Sequence, residues 1–234
     1  MKRPVLLILL ALVVGFALGL FCTYGIVTPR QNSALAANST QAVPEQMDLS
    51  PISTTTATAA MTALDETDDA LLLESAEQVL YAMRDGDYRA LSALVHPTQG
   101  VLFTPYSTVD PDCNRLLTAQ QVAQVAQDQE IYTWGVQDGK GDPIQMTSEA
   151  YFARYVFNAD YTQAPQVSLD QVLVTGNALE NVADAYPDAR FVEYHFPGLE
   201  QKNHGYDWCS LKLVFEPYLE SWYLVGVIHS EWTI

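Results

Sequence analysis

From residue 68 to residue 84 the apolar side chains Leu72, Ala76, Val79, Leu80 and Met83 recur at the helical period and predict one buried stripe. Gly86 breaks this helix. Asp87 can cap a second one, whose buried face is Tyr88, Leu91, Leu94 and Val95 and which ends at His96-Pro97. Residues 101–106 read as a short strand. Thr118 with Gln121 three residues on forms a capping box that opens a helix to about Asp128. Residues 131–136 read as a strand, 138–142 as a turn and 147–157 as a helix. The last third is mostly strand, at 167–175, 190–196, 208–215 and 222–229. In the third of these, Cys209, Leu211, Leu213 and Phe215 alternate with Trp208, Ser210 and Lys212, the period of a half-buried strand. Residues 216–221 then close a hairpin. Helices gather early and an antiparallel sheet follows, which is an α+β pattern.

Ahead of this region the pattern changes twice. Residues 4–29 carry no charge and are rich in Leu, Val and Ala. A bilayer core about 30 Å thick needs roughly 20 such residues in a helix. Lys2 and Arg3 precede the run, and only Arg30 closely follows it. Positive charge stays inside, so the amino terminus is expected in the cytoplasm and everything after Pro29 outside. The alternative is a cleaved secretory signal, because Ala34-Leu35-Ala36 fits the small-x-small pattern, although well past the apolar run. Phe21 before Cys22 departs from a lipobox. Residues 30–67 include the low-complexity run Ser53 to Ala60 with Pro44 and Pro51 nearby, a composition expected to stay a flexible linker. The expected organisation is therefore 1–29 transmembrane anchor or signal, 30–67 linker, and 68–234 one extracytoplasmic α+β domain. The localisation is the cell membrane, single-pass, or secretion after cleavage.

Two short leading helices ending in Gly86-Asp87-Tyr88-Arg89-Ala90-Leu91-Ser92-Ala93-Leu94-Val95-His96-Pro97 resemble the opening of nuclear transport factor 2-like (NTF2-like, cystatin-like cone) domains. The closing Trp222-Tyr223-Leu224-Val225-Gly226-Val227-Ile228 is similar to the last strands of that superfamily. Tyr132-Thr133-Trp134-Gly135 and Glu193-Tyr194-His195-Phe196-Pro197-Gly198 resemble segments of uncharacterised extracytoplasmic bacterial proteins. The resemblance implies helices packed on a curved antiparallel sheet as a cone, with a pocket between them. It implies no single function, because the superfamily holds isomerases, dehydratases, cyclases and non-enzymatic binding domains.

Charge narrows the partners. Without Lys2 and Arg3, 11 − 2 = 9 basic residues face 28 acidic ones, a net charge near −19. Such a surface repels nucleic acid and polyanions. The expected partners are the membrane, through the amino-terminal helix, and a small-molecule ligand or an envelope protein.

The candidate chemistry centres on two mirrored spacings, Glu193-x-His195 and His229-x-Glu231. Each pair shares one face of its strand, and faces that met could bind a metal or act as acid and base. Core periodicity argues the other way, leaving Val192, Tyr194 and Phe196 inside and the pair at the solvent. Asp110-Pro111-Asp112 and Asp138 with Asp142 are oxygen-rich but lack calcium-loop spacing and read as turn formers. No metal and no cofactor is expected. Tyr132, Trp134, Glu193, His195, Asp207 and His229 are the candidate pocket residues. Cys113 and Cys209 are the two cysteines outside the membrane run and form a candidate disulfide in an oxidising compartment. No phosphate loop, serine-hydrolase elbow or zinc-protease helix occurs. The leading expectation is a non-catalytic, membrane-tethered extracytoplasmic domain binding a ligand or partner protein. The alternatives are a small-pocket hydrolase, isomerase or lyase using a His/carboxylate pair, and a structural envelope protein.

Overall fold

The structure is a computed structural model that describes residues 54–233, with side chains from residue 65 onward. The expected membrane run, its orientation and the cleavage site lie outside the described residues. Among the described residues no helix is long and apolar enough to cross a membrane.

Helix α1 (Thr54–Arg84) begins inside the expected linker rather than at Asp68. The Ala residues that lower the complexity of this run are also the strongest helix formers, and they extend a helix already nucleated downstream. The predicted stripe Leu72, Ala76, Val79, Leu80 and Met83 is buried. Helix α2 (Tyr88–Leu94) is capped as expected, the Asp87 carboxylate accepting from Ala90 N–H at 2.9 Å. Strands β1 (Val101–Thr104) and β2 (Arg115–Leu117) precede α3 (Ala119–Val122), whose Thr118/Gln121 capping box is present. Beyond Val122 the expected helix gives way to turns. Strands β3 (Tyr132–Val136) and β4 (Pro143–Met146) form a separate two-stranded ribbon. Helix α4 (Ser148–Tyr151) widens into a π-helical turn at Phe152–Val156.

The main sheet is completed by β5 (Gln166–Leu169), β6 (Arg190–Phe196), β7 (Cys209–Tyr218) and β8 (Ser221–Glu231), with α5 (Val182–Ala185) between β5 and β6. Its strand order is β2-β1-β8-β7-β6-β5. Neighbours are antiparallel except β1 and β8, which run parallel, so the expected purely antiparallel sheet is mixed. Strand β5 stops short of the expected residue 175. Asp170 has φ 53°, and its carboxylate pairs with Arg190 and accepts the Phe191 N–H, which turns the chain off the sheet.

Both faces of the central strands are buried, while the edge strands β2 and β5 are partly exposed. On the helix side Val192, Tyr194, Leu211, Leu213, Phe215 and Val227 pack with the α1 stripe. On the far side Phe191, Val214, Val225 and Ile228 pack under Val172, Val182 and Tyr186 of the segment that follows β5. The β7–β8 register slips between Val214↔Gly226 and Phe215↔Leu224, so Val225 is one residue in excess. A bulge of this kind bends its strand and helps curve the sheet. Gly226 beside it has no room for a side chain, because a Cβ would lie 2.8 Å from the Tyr186 hydroxyl.

Candidate ligand-binding site

Glu193 and His195 do share a face of β6, but it is the far face, and neither reaches solvent or a cavity. Both are buried. Glu193 Oε2 accepts the Leu173 N–H at 2.8 Å, and its Oε1 lies 3.7 Å from Lys212 Nζ. Lys212 is fully buried; it donates to Glu180 Oε2 at 2.8 Å and to Ser230 Oγ at 3.4 Å. Ser230 in turn bonds Ser107 at 2.8 Å. His195 Nδ1 and Ser210 Oγ are hydrogen-bonded at 2.8 Å. Burial pushes the Glu193 carboxyl up, against the pull of Lys212. Burial likewise pushes the His195 imidazole down. The expected solvent placement of this pair fails because residues 170–182 cover the face. These groups form a sealed polar seam that docks the covering segment.

His229 and Glu231 lie on the helix side, so the two mirrored pairs are separated by the sheet and do not converge. His229 is fully buried, and its Nδ1–H donates to the Pro105 carbonyl at 3.1 Å. Its Nε2 has no hydrogen-bond partner, and the ring sits edge-on to Tyr155. Burial pushes this imidazole down to about 4. Glu231 pairs with Arg154, which also lies 4.3 Å over the Tyr155 ring. No group of three His, Cys, Asp or Glu among the described residues could hold a metal ion.

The remaining candidates are scattered. Trp134 is fully buried, stacks on Tyr151 at 3.9 Å and donates its indole N–H to the Met146 carbonyl, so it fills the core rather than lining a cavity. Tyr132 lies at the surface under the Arg115 guanidinium and donates to Asp128 at 2.7 Å. Asp207 closes its own loop, accepting from Glu200 N–H and the Asn203 amide at 2.8 Å each. Cys113 and Cys209 are free thiols, which corrects the expected disulfide. Cys209 is buried on the helix face of β7, beside Tyr161 and Asn158, whereas Cys113 belongs to a turn opening on a surface cleft.

That cleft, about 500 Å³, is lined by none of the six candidate pocket residues. One wall is Pro105, Tyr106 and the 110–114 turn; the other is the β3–β4 turn with Asp138 and Lys140. The two oxygen-rich turns seen in the sequence thus meet across one opening. Each is built by its own polar atoms. Asn114 Oδ1 accepts the Asp110 N–H at 2.7 Å, and Gln137 N–H donates to the Asp142 carbonyl at 2.7 Å. The Asp138 carboxylate accepts from Thr233 Oγ1 at 2.5 Å. Gly135 brings the walls together: at φ 146° it lets Pro105 and Asn114 approach where a Cβ would lie 3.1 Å and 3.2 Å away. Tyr106 packs edge-on against Tyr155, and burial raises its phenol to about 12. Behind this wall, His229 holds the Pro105 carbonyl.

No family model matches the chain, and no curated protein matches it. Among solved structures, it is similar to a candidate dehydratase of the NTF2-like family from Streptomyces avermitilis, at 12% identity and TM-score 0.32 over 72% of this chain and 99% of that one. It is similar to a protein named Rd1NTF2_05 carrying five substitutions, at 14% identity and TM-score 0.29 over 71% and 98%. It is also similar to a DUF4783 family protein from Bacteroides ovatus, at 8% identity and TM-score 0.27 over 67% and 94%. The likeness is to NTF2-like proteins; at these TM-scores it adds nothing to the chain's own topology, which is that of helices packed on a curved, mixed sheet.

Proposed function

We propose that this chain is a membrane-tethered extracytoplasmic domain that binds a small ligand in the cleft between Tyr106 and the β3–β4 turn. The observation that carries the reading is the cleft itself. Its volume of about 500 Å³ falls within the range of small-molecule sites, roughly 300–1,000 Å³. Tyr106, Pro105 and Val136 offer apolar surface, while Asp110 and Asp138 set two carboxylates against the single ammonium of Lys140. In a chain of net charge −17 this favours a ligand with an apolar body and a cationic group. The membrane tether rests on the uncharged run before residue 30 and the basic residues ahead of it.

The test is calorimetry of the full chain in detergent against a panel of small aromatic amines and their uncharged analogues. A cationic member should bind, with affinity reduced at least tenfold in Tyr106→Ala and severalfold in Asp138→Asn. Binding that ignores both substitutions would overturn the assignment, as would the absence of any binder.

The packed interior favours one other reading. Trp134, Tyr151 and Phe103 fill the space between sheet and helices where a cone would carry its pocket. A structural envelope protein working through its surface would look like this. The small-pocket enzyme loses its motive, since His195 meets Ser210, and His229 a backbone carbonyl, rather than a carboxylate.

A further inference from the structure

The β7–β8 hairpin turns in two residues, Leu219 and Glu220, between the paired Tyr218 and Ser221. Leu219 has φ 57°. The first position of a tight hairpin turn with positive φ is one where Gly or Asn is the unstrained choice. A branched-chain residue there carries strain, and this one gains nothing from burial, since it is 86% exposed. Folding therefore gives no reason for Leu at this position. Strained backbone and bare apolar surface coincide, which points to a contact the isolated chain does not make.

Leu219 stands on the rim of a groove of about 460 Å³ between the hairpin and the first two helices. Trp222, Leu94 and Pro217 supply its apolar lining, and Leu71 of α1, half exposed, forms the opposite wall. Its charged lining is wholly acidic: Asp68, Glu74 and Glu220. The nearby cation, Arg190, is already held by Asp68, Asp69 and Asp170.

We propose that this groove docks a segment of a partner protein in which basic residues flank large apolar ones, with Leu219 as the apolar contact on the rim. Charge selects that occupant. The segment between the expected membrane run and α1 cannot supply it, because no Lys or Arg occurs between Arg30 and Arg84. A second copy would bring another acidic surface of net charge −17. The groove is separate from the Tyr106 cleft, so this proposal does not depend on a ligand binding there.

The experiment uses the full chain in nanodiscs of uncharged lipid and fluorescence anisotropy of labelled hexapeptides of alternating Arg and Leu, with a Glu/Leu hexapeptide as control. The Arg/Leu peptide should bind and the Glu/Leu peptide should not. Leu219→Gly should weaken binding at least tenfold while the melting temperature holds or rises, which separates lost contact from lost fold. Glu74→Gln with Glu220→Gln should weaken binding about threefold or more, and 0.5 M salt should do the same. Equal affinity of wild type and Leu219→Gly would overturn the proposal, as would no binding or equal binding of both peptides. Self-association in sedimentation that Leu219→Gly abolishes would assign the groove to a second copy and overturn it too.

Discussion

Because the Nδ1–H of His229 is committed to the Pro105 carbonyl, protonation must place charge on a buried Nε2 that has no acceptor. Its ionisation falls from about 6.5 in the unfolded chain to about 4 when folded. A depressed folded value gives stability that is complete above pH 6.5 and lost as pH falls towards 4. The loss amounts to about 3 kcal/mol at about 1.4 kcal/mol per unit. Urea midpoints measured across that window should fall with acid in the wild type, and His229→Gln should flatten the slope. Glu193 works in the opposite sense. Its folded value is raised by burial, so it opposes folding once pH rises above the ordinary carboxylate range, with Lys212 the largest restraint and the Leu173 N–H and Ser210 hydroxyl lesser ones. Lys212→Met should therefore leave Glu193 and Glu180 without their shared cation and cost about 3–5 kcal/mol at pH 7, as seen when one partner of a buried pair is removed. Urea denaturation at pH 7 and again near pH 4.5 measures it, and the loss should shrink at the lower pH as Glu193 protonates.

At the scale of elements, tight packing around the β8 bulge makes a separate prediction. Gly226→Ala would press a methyl into the Tyr186 hydroxyl at 2.8 Å and Val214 Cβ at 3.1 Å. Overpacking of this kind costs about 1–3 kcal/mol. Tyr186→Phe removes an unpartnered buried hydroxyl, and combined with Gly226→Ala it should recover part of that loss in thermal denaturation. The same region shows why some elements were legible and others not. The α1 stripe and the alternation of β7 follow the helix and strand periods, and both hold in the fold. Alternation reports which residues share a face, but not what covers the face. Lys212, Ser210, Glu193 and His195 read as solvent-facing by period, yet residues 170–182 lie over them without a periodicity of their own. Likewise β2 and β4 are three and four residues long, too short for a pattern, although β4 completes the hairpin whose turn forms half the cleft. Asp110 and the 138–142 segment were visible singly as turn formers, and Pro105 and Tyr106 as the end of a strand. Their convergence depends on Gly135 and on pairings distant in sequence, which no local pattern encodes.

For the whole molecule, the proposed membrane tether can be tested by asking where this acidic domain lies. The uncharged run of residues 4–29, with Lys2 and Arg3 ahead of it, favours an inside amino terminus, because basic flanks are retained in the cytoplasm. An oxidising compartment would not by itself join Cys113 to Cys209, since one thiol sits at the surface cleft and the other is buried on the helix face of β7. Topology and thiol state can thus be read together. Protease added to intact protoplasts should degrade the domain, and a membrane-impermeant maleimide should label Cys113 on the same protoplasts. Cys209 should react only after denaturation, because it is buried. Protection of the domain from protease until the membrane is permeabilised would place it inside and remove the tethered, outward-facing reading. A peptide linking the two cysteines in unreduced protein would instead leave the topology standing and show that the cleft loop moves to reach β7.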